Sequence, residues 1–280
     1  MKVLLFGATG LLGKDLLKRK PPSLKVVAAP RSFDIVDPEQ MKKAFTEFKP
    51  DMVVNTAGMS SVDKAEDHVQ QAFDLNGKAP ALLASLCEAS SIPLIHFSTD
   101  YVYPDANEKP FSESDVPHPL NVYGKSKLEG EKAVQRWEQH YILRTSSLYG
   151  TSRRAHAMWV LEALQSKNKL TVAEDMICSP TYTGDLARWI YQLIEHRPAF
   201  GIYHVTHKGF CSRYDFAFRL CELLNAPQPY PIERISLEAL HLRAPRPDRP
   251  LLAVDKWEKN IGPLLTWEEG LKNFLHEIQS

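Results

Sequence analysis

The sequence has no excess charge of either sign, few cysteines and no long apolar run, and each shortage removes a class of function. Lysine plus arginine equals aspartate plus glutamate, at 34 each in 280 residues, so no global field draws the chain to nucleic acid or to an anionic membrane. No apolar run approaches the ~20 residues of a membrane span. The chain enters a strand at Lys2 with no basic-then-apolar leader, so the expected location is the cytoplasm. The four cysteines, Cys87, Cys178, Cys211 and Cys221, have neither disulfide nor metal-ligand spacing. No metal site is expected, and Cys87 fits a small core residue. What remains is 44% hydrophobic and 24% charged, ordinary for a globular enzyme. The length suits one large domain or a nucleotide-binding domain with a second lobe.

An apolar run, Lys2 to Phe6, stops at Gly7-Ala8-Thr9-Gly10-Leu11-Leu12-Gly13. A helical pattern follows, with Leu12, Leu16 and Leu17 on one side and Lys14, Lys18 and Arg19 on the other. A G-x-x-G-x-x-G loop between strand and helix lets backbone N–H groups approach a pyrophosphate at the positive end of the helix. A glycine turn that binds nothing is the alternative, and the strand–loop–helix context favours a dinucleotide. A second strand, Leu24 to Ala29, comes at βαβ spacing. Its end lacks the acid that would hold the adenosine ribose of NAD. Pro30-Arg31-Ser32 stands there, and a cation with a hydroxyl suits a 2′-phosphate. NADPH is therefore the expected cofactor, with NADH as the alternative.

Asp34-Ile35-Val36-Asp37 leads into a helix predicted over Pro38 to Phe48. The third strand, Asp51 to Asn55, runs into Thr56-Ala57-Gly58, small enough for a ribose or phosphate to approach. A polar segment, Ser60 to Asp67, precedes a helix predicted from Val69 to Ser90 that carries Asn76. The fourth strand, Ile92 to Phe97, ends in Ser98-Thr99-Asp100-Tyr101, at the edge where open α/β sheets bind ligands. Thr99 alone is equally a cap or turn residue. After a proline-rich loop, Tyr103 to Pro119, a helix is predicted from Leu120 to His140, then a fifth strand, Tyr141 to Arg144. This alternation predicts a doubly wound parallel sheet.

Beyond Gly150 the alternation weakens. The pattern predicts helices over Ala155–Ser166 and Thr183–His196, strands near Leu170–Val172 and Gly201–Val205, and a turn at Ser179-Pro180-Thr181. A helix capped by Ser212 and reaching Leu224 follows, with a last one from Thr266. Residues 1–152 are expected to form the nucleotide-binding domain. Residues 153–280 are expected to form a smaller C-terminal α/β substrate lobe, some of whose segments return to the sheet.

The predicted helix after the long loop opens with Asn121-Val122-Tyr123-Gly124-Lys125-Ser126-Lys127. Tyr123 and Lys127 are one helical turn apart and share a face. A free phenol, with a pKa of about 10, is a poor acid at neutral pH. An ammonium beside it is expected to lower that pKa and make Tyr123 a usable proton donor or acceptor.

Taken together, these segments resemble an extended short-chain dehydrogenase/reductase of the dTDP-4-dehydrorhamnose reductase family. The resemblance runs from the glycine loop through Val53–Gly58, Val62–Glu66, His96–Tyr103 and Pro119–Lys132 to Leu143–Ser146, Ser179–Ala187 and Arg246-Pro247. It implies a Rossmann-type fold and reduction at C4 of a nucleotide-linked 4-keto-6-deoxyhexose. By the same resemblance Tyr123 donates the proton, Lys127 holds the nicotinamide ribose and Thr99 bonds the reacting oxygen. The implied cofactor contacts are Gly7, Thr9, Gly10, Leu11, Leu12, Gly13, Arg31, Asp34, Ile35, Ala57, Gly58, Asn76, Tyr123 and Lys127. The implied substrate contacts are Thr99, Asp100, Tyr101, Ser147 and Arg246.

Two departures concern the substrate side. Ser147 stands where the family carries a tryptophan, and an Asn-Phe pair usual a few residues later is absent from 153–158. A non-catalytic, NADP-binding regulatory subunit, similar to the β subunit of methionine adenosyltransferase, is the alternative. An epimerase or dehydratase of nucleotide sugars is a third reading. The expected partner is a nucleotide sugar, with neither nucleic acid nor membrane, and a homodimer is allowed.

Overall fold

The structure, a computed structural model, describes residues 1–104, 109–151 and 155–279. The expected boundary at 152/153 lies outside the described residues, as does part of the long loop and of the 153–158 segment. Five strands, β1 (Lys2–Phe6), β2 (Lys25–Ala28), β3 (Met52–Asn55), β4 (Leu94–Thr99) and β5 (His140–Thr145), pair in parallel with a sixth, Gly201–His204. The order across the sheet is Gly201–His204, β5, β4, β3, β1, β2. The fold is thus the expected doubly wound α/β sheet, and its topological switch lies between β1 and β3.

Both faces of the sheet are dry, because successive strand residues point to opposite sides. Val3, Leu5, Met52, Val54, Ile95 and Phe97 enter one core, beneath helix α1 (Leu11–Lys18) and the Thr183–His196 helix. Leu4, Phe6, Val53, Leu94 and Ile142 enter the other, beneath α2 (Pro38–Phe48) and its neighbours. A third core, around Tyr149, Tyr182, Phe216 and Phe274, joins the helices His156–Ser166, Arg213–Leu223 and Trp267–Gln279.

Several predicted elements change at their ends. The polar segment after β3 contains a short helix, α3 (Val62–Asp67). The long helix expected from Val69 divides into α4 (Val69–Phe73), a π turn (Asp74–Lys78) and α5 (Ala79–Ala89). The π turn holds Asn76, where the carboxamide bonds to a neighbouring loop and helix. The helix bearing Tyr123, α6 (Val122–Val134), stops well short of His140. Trp137 turns inward there and donates from Nε1 to the Ile92 carbonyl at 2.9 Å, while His140 pairs with Leu94 as the first residue of β5. Strand β4 runs two residues further than expected and takes in Ser98 and Thr99, because Thr99 is in register with Thr145. Of the turn expected at Ser179-Pro180-Thr181, Thr181 instead opens a short strand, Thr181–Tyr182, and another, Ile177–Cys178, precedes the turn.

Candidate active site

Two sequence features prepare the nucleotide end. Gly7 has φ +78°, and a Cβ there would lie 2.5 Å from the Ala57 nitrogen. A Cβ on Gly13 would lie 2.2 Å from the Gly7 carbonyl oxygen. The loops after β1 and β3 therefore meet in a space only glycine permits. Helix α1 also differs from α2 and α6 at its N-terminus. Asp37 caps α2 and Asn121 caps α6 through their side chains, whereas α1 starts at Gly10 with no side-chain cap and no acid in its first turn. Its first-turn N–H groups and positive dipole end remain available to an anion.

Arg31 lies at the edge of this loop, donating from Nε and Nη2 to Thr9 Oγ1 at 3.1 and 2.7 Å. The exposed guanidinium thus stands beside the glycine loop, at the end of β2. Asp34 accepts from the Val36 nitrogen at 3.1 Å, and Ile35 is buried in the core around Phe45. Leu12 is buried, and Leu11 packs against the third core. Asn55 Oδ1 accepts from the Ala57 nitrogen at 3.0 Å and shapes the Ala57-Gly58 turn. An uncapped helix, a glycine cradle and an adjacent cation are the parts a dinucleotide phosphate needs, and these residues fit one.

The reactive end is built on α6. Asn121 Oδ1 accepts from the Gly124 nitrogen at 2.8 Å, and Glu66 Oε1 accepts from the Val122 nitrogen at 2.8 Å. These bonds seat the first helical turn, with Tyr123 half-buried in it. The Tyr101 ring meets Tyr123 edge-on, with centroids 6.0 Å apart. Lys127 is 7% exposed and its ammonium donates to the Phe97 carbonyl on β4. Asn76 donates from Nδ2 to the Met59 carbonyl and to Ser126 Oγ, each at 3.0 Å, and accepts from the Met59 nitrogen at 2.9 Å. Its carboxamide hydrogens are both used inside the protein, so Asn76 positions the Gly58-Met59 turn against α6.

The expected effect of Lys127 on Tyr123 is not found. Burial pushes the Tyr123 phenol up to about 12, opposed by the Thr99 hydroxyl, while the Asp100 charge raises it further. Lys127 is itself lowered to about 8 by burial, with Glu131 opposing. The ammonium is anchored on Phe97, and loss of solvent dominates the phenol. The Tyr123 phenol therefore keeps its proton at neutral pH.

Thr99 fills the cap role the sequence allowed. Its Oγ1 caps the short Asp100–Val102 turn, accepting from the Tyr101 nitrogen at 3.2 Å, and also lies beside Tyr123. It donates to Asp100 Oδ1 at 2.9 Å, and Ser146 Oγ donates to Asp100 Oδ2 at 2.6 Å. Burial raises the Asp100 pKa to about 6. Asp100 therefore holds Thr99 and Ser146 instead of facing a substrate.

Arg246 is likewise committed elsewhere, in a two-pronged pair with Asp63 at 2.7 and 3.1 Å. With the bond from Asn121 Nδ2 to the Pro245 carbonyl, 2.8 Å, it ties the 244–246 segment to α3 and α6. Tyr101 packs with Ala173 and Met176, beside Tyr123. Ser147, with φ +47°, lies a short pocket away with His156, Cys178 and Arg213. Sequence reasoning missed His156 and Arg213, which carry no motif, and named Ser146 only as the end of the Leu143–Ser146 segment. It also missed Asn121 as the cap, although an Asn at a helix start is itself a capping signal.

A parallel sheet with a glycine loop at its switch point and a Tyr-x-x-x-Lys helix beside it defines the short-chain dehydrogenase/reductase class. Residues 1–280 match the family described as RmlD substrate binding domain. The spore coat polysaccharide biosynthesis protein SpsK of Bacillus subtilis is 34% identical, covering 100% of this chain and 98% of its own. The dTDP-4-dehydrorhamnose reductase of Escherichia coli is 30% identical, covering 99% and 98%. The solved structure of the dTDP-4-dehydrorhamnose reductase from Bacillus anthracis, in complex with NADP, superposes with a TM-score of 0.94 at 29% identity over 99% of each chain. The chain belongs to the RmlD substrate binding domain family, within the extended short-chain dehydrogenases/reductases. Among the described residues no helix is long and apolar enough to cross a membrane.

Proposed function

We propose that this chain is an NADPH-dependent reductase of a nucleotide-linked 4-keto-6-deoxy sugar, with Tyr123 as the proton donor. The observation that carries the reading is the meeting of Tyr123 with Thr99 at the carboxyl end of β4, with Lys127 anchored one turn further along α6. Relatives across the full length are reductases of dTDP-linked keto sugars, and one was solved with NADP. When bound, the dinucleotide supplies the hydride.

The chain's residues would do the rest. The uncapped first turn of α1 and the Gly7–Gly13 loop hold the pyrophosphate, and Arg31 with Thr9 holds the 2′-phosphate. Lys127 binds the nicotinamide ribose hydroxyls. Tyr123 O–H gives its proton to the oxygen that becomes an alkoxide, a downhill transfer even from a phenol near 12, because an alcohol is weaker still as an acid. Thr99 Oγ1, held by Asp100, orients the phenol and lines the oxygen's position. The lobe built after residue 155 supplies the sugar wall through Ala173 and Met176, which pack with Tyr101.

The test is purified protein with NADPH and dTDP-4-dehydrorhamnose. Loss of nicotinamide absorbance is expected, and Tyr123→Phe should remove at least about 100-fold of kcat, the usual weight of a positioned acid. Tight NADP binding with no turnover of any nucleotide keto sugar would instead establish the regulatory-subunit alternative.

A further inference from the structure

Resting on that reading, we propose that Arg213 determines sugar specificity: its guanidinium donates to a ring hydroxyl of the hexose from the pocket it lines with Ser147 and Cys178. Arg213 opens the Arg213–Leu223 helix directly after the Ser212 cap. Its nitrogen donates to the Met176 carbonyl at 3.1 Å, and its own carbonyl faces His156 Nε2 at 3.3 Å. Burial and the Arg213 charge hold His156 down to about 3, so that imidazole is neutral and Nε2–H is the donor. The backbone is pinned on both sides, which fixes where the side chain departs.

That side chain lines the pocket formed with Ser147, Tyr149, His156, Cys178 and Pro180. Among the described residues nothing takes a hydrogen bond or salt bridge from its guanidinium. The other arginines shielded from solvent are all engaged: Arg19 with Glu277, Arg144 with Glu131 and Arg246 with Asp63. A half-buried guanidinium has five donors to satisfy, and one left facing a cavity beside an active site is poised for a ligand oxygen.

The neighbouring charges select the kind of oxygen. The Arg213 nitrogen holds the Met176 carbonyl, and Met176 packs with Tyr101, so this helix start stands against the turn that follows Thr99. The Asp100 carboxylate is already held by Thr99 and Ser146, yet its charge offsets that of Arg213. With the local charge near zero, a neutral hydroxyl is a better match than a carboxylate or phosphate. Ser147 places no bulky side chain in this pocket, which leaves hydrogen bonding rather than stacking to read the sugar.

The experiment compares wild type, Arg213→Met and Arg213→Lys with NADPH and a dTDP-4-keto-6-deoxyhexose, and with its 2-deoxy and 3-deoxy analogues. Arg213→Met should raise KM for the full sugar about 10- to 100-fold, the effect of losing a charged donor, with kcat within about threefold. Arg213→Lys should restore much of the loss. On one deoxy analogue the difference between wild type and Arg213→Met should vanish. An unchanged KM, or the same loss on every sugar, overturns the proposal while leaving the reductase reading intact. If wild type turns over no sugar, the reductase reading fails, and equilibrium binding of the same sugars decides the matter. Weakening by about tenfold in Arg213→Met sustains a role for Arg213 in binding, and equal affinity, or no binding by wild type, overturns it.

Discussion

Replacing Gly124 by alanine tests whether the helix bearing Tyr123 is held by contact rather than by helix propensity. By propensity alone, alanine inside α6 favours the helix by about 1 kcal/mol. The structure predicts the opposite sign for function. A Cβ on Gly124 would lie 2.2 Å from the Tyr101 carbonyl oxygen and 2.9 Å from Pro119 Cβ. Carbon and oxygen normally stay about 3.3 Å apart, so the two segments must separate by about 1 Å. The Tyr101 backbone has little room to yield, because its nitrogen is bonded to Thr99 Oγ1 and the turn closes with Tyr103 N donating to the Asp100 carbonyl at 2.9 Å. The shift therefore falls on the first turn of α6 and draws Tyr123 away from Thr99. A displacement of that size at a reacting group costs about 100-fold in rate.

Turnover of dTDP-4-dehydrorhamnose by Gly124→Ala should fall by about that factor, read as NADPH consumption. NADPH affinity, read by fluorescence titration, should stay within a few-fold, since the glycine loop lies on a different strand. Lys125→Ala, one residue on and exposed, is the control. A Gly124→Ala enzyme with activity within threefold of wild type would refute the argument.

Three further perturbations follow from the same structure. Arg31→Ala should raise KM for NADPH about tenfold and leave KM for NADH within twofold, since only the former carries a phosphate for the guanidinium; equal effects on both would sink the 2′-phosphate assignment. Asp100 is raised from its usual 3.8 to about 6 in the folded protein, so its contribution to stability is full below pH 3.8 and lost as pH rises through 6. Asp100→Asn, which has no charge to bury, should therefore gain about 2 kcal/mol on wild type between pH 4.5 and pH 7.5, measured by denaturant unfolding; a difference independent of pH counts against the shift. Arg144 is paired with Glu131 at 2.5 and 2.9 Å, both side chains fully buried. Arg144→Met leaves that carboxylate unpaired and should cost about 3–5 kcal/mol, while Arg144→Met with Glu131→Leu should recover most of it; thermal melts that rank the double variant below the single one would contradict this.

Local chemistry was legible in the sequence wherever it was self-sufficient. The Pro38–Phe48 and Thr183–His196 helices begin and end where the sequence pattern places them, and Ser212 caps its helix as expected, accepting from the Asp215 nitrogen. The glycine loop, the missing acid after β2 and the one-turn spacing of Tyr123 and Lys127 are likewise statements about a few consecutive residues. Errors collected where distant segments compete for the same backbone. The π turn at Asn76 forms because its carboxamide bonds both Met59 and Ser126, the latter 50 positions away. Strand β4 gains Ser98 and Thr99 because β5 is there to pair with them.

Periodicity and spacing along the chain were enough for a doubly wound sheet, a glycine loop between strand and helix, and a tyrosine and lysine on one helical face. Only the tertiary structure decided what those groups experience. Lys127 is held by a carbonyl 30 positions away and Arg246 by a carboxylate 183 positions away, and Tyr123 is raised because folding strips water from it. Spacing chooses the face a side chain shares, but the partner it meets and the solvent it loses belong to segments remote in the chain.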